Sequence, residues 1–365
     1  VPNLSTPIGE LQARYDVVVI GSGYGGAVVA RWMSNAAKER RARGEAPFSV
    51  CLLERGLEIR PGQYPTSLLG TLRAGQADTR YGHIGKRTSL FDVRMNRDLT
   101  VLVGCGLGGT SLINASVMLE PMKFSDTKWP PELRELWPED LRRDGALREE
   151  FRKVNEALSA APAPADVVLD KVTHLITSAG PDSTRGYDDY HPPIAVSFRT
   201  RINDFKVQQE RCTLCGNCIT GCNYSAKNTL IMNYLPAAAD AGASIFCGVQ
   251  VSAVEPAETP AGDWLVHARL LDRAANVFGN PEMPIRAGMV FLASGTLGST
   301  EILLRSRDRY GLSLSPALGQ HFSGNGDVIA FGYNTNSKVN GMAFGPRLPT
   351  DPTVGPTIAG MLDER

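Results

Sequence analysis

The chain has 365 residues and carries 38 basic against 38 acidic side chains, so no net charge draws it as a whole toward nucleic acid or anionic lipid. Its length exceeds what one hydrophobic core usually organises, and two domains with a small-molecule ligand are the expectation. No apolar run approaches the roughly 20 residues of a membrane span, and the start at Val1 has neither a basic nor an apolar leader region, so a soluble, cytoplasmic protein without an integral membrane segment is expected.

The first element is an apolar strand, Tyr15 to Ile20, that runs into Gly21-Ser-Gly-Tyr-Gly-Gly26 and then a helical stretch. Glycines spaced G-x-G-x-x-G between a strand and a helix predict a dinucleotide pyrophosphate site. Gly21 serves the tight turn, Gly23 the close approach of phosphate to backbone, and Gly26 the packing of helix on strand. The helix N-terminus then faces the anion. A basic connection, 38–44, leads to a second strand, Phe48 to Glu54, which completes a βαβ unit. Glu54 stands where such a fold places its ribose acceptor; a surface carboxylate is the plainer alternative.

Residues 60–97 are rich in Gly, Pro, Arg and Thr with little periodicity, which predicts an ordered loop region. A further strand from Leu99 then meets a second glycine loop, Gly104-Cys-Gly-Leu-Gly-Gly-Thr-Ser-Leu-Ile-Asn114. Segment 129–200 carries prolines and charged helical stretches such as 147–158, as an inserted region would. Beyond it, Cys212, Cys215, Cys218 and Cys222 read C-x2-C-x2-C-x3-C, the spacing of a bacterial ferredoxin loop that wraps an iron-sulfur cluster. Asn223 replaces the usual proline, and free or paired structural thiols or a zinc site are the alternatives. Strand signals return at 243–254, at 264–271, and at 287–292 before another glycine turn, Ser294-Gly-Thr-Leu-Gly298.

Taken in order, these segments resemble the glucose-methanol-choline (GMC) oxidoreductase family, and within it the cholesterol-oxidase-like branch. The resemblance is carried by 16–26, 53–56, 104–114, 293–304 and 318–327, and the segment 226–236 after the cysteines resembles the same branch. It implies an α/β fold, α+β overall, with a Rossmann-like FAD-binding domain interrupted by an inserted substrate-binding domain. The expected division is 1–125 and 236–330 for FAD, 126–235 for the insertion and cysteine region, and 331–365 for the start of a substrate-domain sheet.

By the resemblance, FAD is held by Gly21, Ser22, Gly23, Tyr24, Gly25 and Gly26 at the pyrophosphate and by Glu54 and Arg55 at the ribose. Gly104, Gly106, Gly108, Gly109, Thr110, Ser111 and Asn114 lie along the flavin, Val251 beside the adenine, and Ser294, Gly295, Gly326 and Asp327 near the phosphates or the ribityl chain. The implied activity is oxidation of an apolar, sterol-like alcohol, with oxygen, a quinone or a redox protein as electron acceptor and with hydride passing to the flavin. The family's catalytic His and its Asn or His partner are expected in a segment after Arg365, so the chain is expected to be a fragment. A noncatalytic FAD-binding fragment and an iron-sulfur reductase using NAD(P)H are the competing expectations.

Overall fold

The computed structural model describes residues 3–119, 146–179, 187–258, 262–271, 282–324, 336, 339–341 and 354–364. In chain order these form β1 (Arg14–Ile20), α1 (Tyr24–Ala42), β2 (Val50–Glu54), α2 (Leu68–Arg73), β3 (Gly75–Thr79), β4 (Gly82–Gly85), β5 (Phe91–Met95) and β6 (Thr100–Gly104). There follow α3 (Ala146–Ala157), α4 (Asp170–Ala179), β7 (Tyr187–Tyr190), β8 (Arg201–Ile202), β9 (Gln208–Gln209) and α5 (Tyr234–Asp240). The last are β10 (Ser244–Cys247), β11 (Val249–Pro256), β12 (Trp264–Leu270), β13 (Met283–Leu292), α6 (Gly295–Tyr310) and β14 (Met361–Glu364).

The central sheet runs β10-β2-β1-β13-β12-β11. Its first four strands are parallel, with Val17 opposite Val50 and Met289, whereas β13, β12 and β11 are antiparallel. Both faces of β1 are covered, which is why its sequence is an unbroken apolar run. Val17 and Val19 join one core with Leu52, Ala27, Ala30 and Leu235, while Val18 and Ile20 join another with Leu53, Val266 and Ile302. Parallel neighbours with a crossover helix between them make β1-α1-β2 the Rossmann-like unit expected from the sequence.

Two readings are corrected. Residues 60–97 are not a loop region: they hold α2 and three strands of a second sheet, ordered β4-β3-β5-β6. Short strands broken by glycines show no long period, so the pattern escaped the sequence. The apolar run 243–254 is not one strand but two. Gly248, at φ +73°, ends β10 beside β2 and lets β11 start on the opposite edge of the sheet.

Candidate dinucleotide cleft and cysteine cavity

The strand-to-helix turn after β1 opens into a cleft of about 710 Å³ at the C-terminal edge of the parallel strands. Gly21 has φ +99°, and a Cβ there would lie 2.5 Å from the carbonyl oxygen of Ala293. At Gly26 a Cβ would meet the Gly21 oxygen at 1.9 Å, so α1 seats directly against the turn. Gly23 differs, because its added Cβ would meet nothing within 4 Å. The space above it is the room a phosphate needs at a helix N-terminus.

The second glycine loop lies against the first, with a Cβ at Gly109 only 2.9 Å from Gly23 Cα. Ser22, fully buried, ties the two together. Its hydroxyl donates to Glu54 Oε2 at 2.6 Å and accepts from the Gly108 amide at 2.9 Å. Glu54 also accepts from the amides of Ser22 (3.1 Å) and Gly56 (2.7 Å) and is 7% exposed, so it is not a surface carboxylate. A carboxylate has more acceptor sites than these bonds fill, and Glu54 lines the cleft, free to take ribose hydroxyls there.

Gly21, Ser22, Gly23, Tyr24, Gly25, Glu54, Arg55, Gly104, Gly109, Thr110, Val251, Ser294 and Gly295 all reach the cleft. Gly26, Gly106, Gly108, Ser111 and Asn114 stand behind it as support. Ser111 donates to the Gly108 oxygen at 2.6 Å, and Asn114 Nδ2 donates to the Tyr24 hydroxyl at 2.9 Å, pinning the second loop to the start of α1. Gly326 and Asp327 lie outside the described residues. The N-terminal residues of α6, Gly295 to Gly298, face the same cleft, so two helix N-termini converge on it.

Sequence reasoning missed a charged wall. Asp92, fully buried, accepts from Arg55 Nη2 and, at 2.9 Å, from both Nε and Nη2 of Arg94. Arg94 continues to Asp78 (2.9 Å) and Glu301 (3.1 Å), and Glu301 to Arg305 (2.9 Å). The available signal was Asp92 and Arg94 two apart in a strand, which places both on one face.

The four cysteines of the ferredoxin-like run line one small separate cavity of about 20 Å³ together with Lys227. All are free thiols, and among the described residues no group of three or more His, Cys, Asp or Glu could hold a metal ion. Burial pushes the Cys212 thiol up to about 12. Burial also brings the Lys227 ammonium down to about 8, against the pull of the Cys218 and Cys222 sulfurs. Asn223, in place of the proline, docks the loop: Oδ1 accepts from the amides of Gly62 and Tyr64, both at 2.9 Å, and Nδ2 donates to the Tyr64 oxygen at 3.1 Å.

No family model matches the chain. It is 26% identical over 330 residues to a cholesterol oxidase of Acinetobacter baumannii, covering 86% of this chain and 55% of that protein. A cholesterol oxidase of Mycobacterium tuberculosis is 27% identical, covering 85% and 51%. An uncharacterised GMC-type oxidoreductase of that organism is 25% identical, covering 85% and 41%. The chain is a relative of the GMC-type oxidoreductases. It spans about half the length of the curated relatives it matches. Among solved structures, a fungal aryl-alcohol oxidase superposes with a TM-score of 0.41 at 14% identity, covering 81% of this chain and 48% of that one. That superposition is loose, and the Rossmann-like assignment rests on the strand order itself.

The resemblance set out from the sequence motifs is therefore matched by relatives across most of the chain. The cleft fits the dinucleotide those motifs imply: open space over Gly23, a buried carboxylate at the end of β2, and two converging helix N-termini. None of the five histidines lines it. Among the described residues, no helix is long and apolar enough to cross a membrane.

Proposed function

We propose that the chain is the FAD-binding part of an oxidoreductase acting on the CH-OH group of an apolar, sterol-like alcohol. The observation that carries this reading is the convergence of the Gly21 to Gly26 turn, the start of α1 and buried Glu54 on one cleft. The curated relatives, cholesterol oxidases among them, support the alcohol as the substrate class.

When bound, FAD supplies the hydride acceptor at its N5. The chain's own residues bind and orient it. The amides of Gly23 and Tyr24 face the pyrophosphate, Glu54 accepts from the adenosine ribose, Arg55 and Val251 flank the adenine end, and the 104–114 loop holds the flavin end. Ser294, Gly295 and, in the sequence reading, Gly326 and Asp327 complete the phosphate side.

The group that takes the hydroxyl proton is, in the sequence reading, carried by a segment following Arg365 in the complete protein, and none of the described residues is assigned that role. The division into 1–125, 126–235, 236–330 and 331–365 is part of the same proposal. It is supported by the sharing of one sheet between β1-β2 and β10 to β13. The test is anaerobic mixing of the complete flavin-loaded protein with a sterol, with a short-chain alcohol, and with NADH. Bleaching of the flavin by the sterol is the expected result. Bleaching by NADH alone would replace the proposal with the reductase reading, and bleaching by none of them would leave a noncatalytic FAD-binding protein.

A further inference from the structure

The segment that follows the cysteines is tied to the second glycine loop. Lys227 is 3% exposed, and its side-chain nitrogen donates to the backbone oxygens of Leu112 (3.1 Å), Asn114 (2.7 Å) and Cys218 (3.0 Å). An ammonium has three N-H donors, and each has one acceptor there. Two of the acceptors lie 115 and 113 residues back along the chain. They stand at the end of the loop whose Gly109 and Thr110 line the dinucleotide cleft. Those carbonyls cannot shift without leaving a buried donor unpaired, so Lys227 fixes the backbone at that point.

Other contacts brace the same loop from the same side. The Leu230 amide donates to Ser111 Oγ at 3.3 Å, and Ser111 donates in turn to the Gly108 oxygen. Gly221, at φ +104°, lies so close to Tyr64 that a Cβ would stand 1.9 Å from its ring. Tyr64 is buried in one apolar cluster with Leu112 and Ile113. The cysteine run belongs to this backing. Cys218 supplies one of the three carbonyls, and Cys222 Sγ accepts from the Lys227 amide at 3.5 Å.

We propose that Lys227 is a positioning residue for the flavin end of the cleft, holding the Leu112 and Asn114 carbonyls so that the 104–114 loop keeps the form that receives the isoalloxazine ring. The inference rests on the reading of the cleft as a FAD site. Lys227 does not line the cleft, so it acts through the loop and not on the cofactor. The Asn114 side chain carries the effect further, because its amide donates to the hydroxyl of Tyr24 at the start of α1. The cysteine loop thereby gains a part in the flavin site that needs no metal.

The test is to titrate the complete protein, freed of flavin, with FAD and with FMN, for the parent and for Lys227→Met, with a thermal melt of each to show that it is folded. The isoalloxazine ring is common to both flavins, so Lys227→Met should weaken both by the same factor, roughly tenfold. A role in stability alone would lower the Tm and leave the flavin affinity of the folded protein unchanged, which would overturn the inference. A loss confined to FAD would place the defect at the adenosine end and overturn it too. If Lys227→Met does not fold, Asn223→Ala decides, since it frees the cysteine loop from Gly62 and Tyr64. Weaker binding of both flavins by that variant supports the inference, and parent-like binding overturns it. Failure of the folded parent to bind FAD would instead remove the reading of the cleft, and the inference with it.

Discussion

At the residue scale, the glycines of the first turn divide into two physical kinds, and the division is testable. Gly26→Ala puts a methyl 1.9 Å from a backbone oxygen that cannot move without unseating α1. Soluble, folded protein should be lost or its Tm should fall by several degrees. Gly23→Ala adds a methyl to open space at an ordinary φ of −63°. Its Tm without flavin should match the parent in a thermal melt, while its affinity for FAD falls at least tenfold because the methyl occupies the phosphate's place. Undiminished FAD binding by the Gly23→Ala protein would contradict the assignment of that space. The turn and packing demands at Gly21 and Gly26 were legible from spacing, since only a residue without Cβ meets both. The part played by Ser22 was not. A hydroxyl bonding to Glu54 on β2 and to Gly108 in the second loop joins segments 32 and 86 residues away, and no local pattern announces such a contact.

At the element scale, the start of the βαβ unit is clamped by Asp16 on β1 and Ser49 just ahead of β2. Asp16 Oδ2 accepts from the Ser49 amide (2.7 Å) and hydroxyl (2.8 Å), and the Asp16 amide donates back to that hydroxyl at 2.9 Å. These bonds, the Ser49 amide foremost, hold the Asp16 carboxyl below its ordinary value of 3.8. A depressed carboxyl contributes stability that is present above the ordinary value and is lost as pH falls through the lowered one. Denaturant melts at successive pH values should therefore show Asp16→Asn less stable than the parent at pH 6, with the gap closing below about pH 3.8. A gap that persists unchanged into acid would contradict the clamp. Strands β1 and β2 could be read from apolar runs, because a parallel strand buried on both faces needs one. The second sheet could not. Its strands β3 and β4 are four or five residues long and half exposed, and their order is fixed by pairing across the sheet rather than by any period in the chain.

At the scale of the whole molecule, distant parts of the chain meet at the cleft, and Asp92 is where the charges of its wall balance. It is fully buried and holds Arg55 from the end of β2 and Arg94, which in turn reaches Glu301 on α6. Removing one member of such a network strands the others, at a cost of about 3–5 kcal/mol. Asp92→Ala should show that loss in a urea melt, and Asp92→Asn a smaller one. A neutral effect would mean that Arg55 and Arg94 are solvated independently of Asp92. The cysteine motif marks the limit of sequence reading at this scale. Its spacing is that of a cluster loop, but the lysine that lines the cavity beside the sulfurs, Lys227, comes from the segment after the loop. Only the folded chain sets its ammonium on the oxygens of Leu112, Asn114 and Cys218.

The measurement that bears most directly on the account is an equilibrium titration of flavin-free protein with FAD and, separately, with FMN, followed by quenching of flavin fluorescence. The cleft is expected to bind one FAD per chain and to hold FMN at least a hundredfold more weakly, because FMN lacks the adenosine end that meets Glu54 and Arg55. Equal affinity for the two flavins, or no FAD binding by protein shown to be folded, would contradict the placement of a dinucleotide in this cleft.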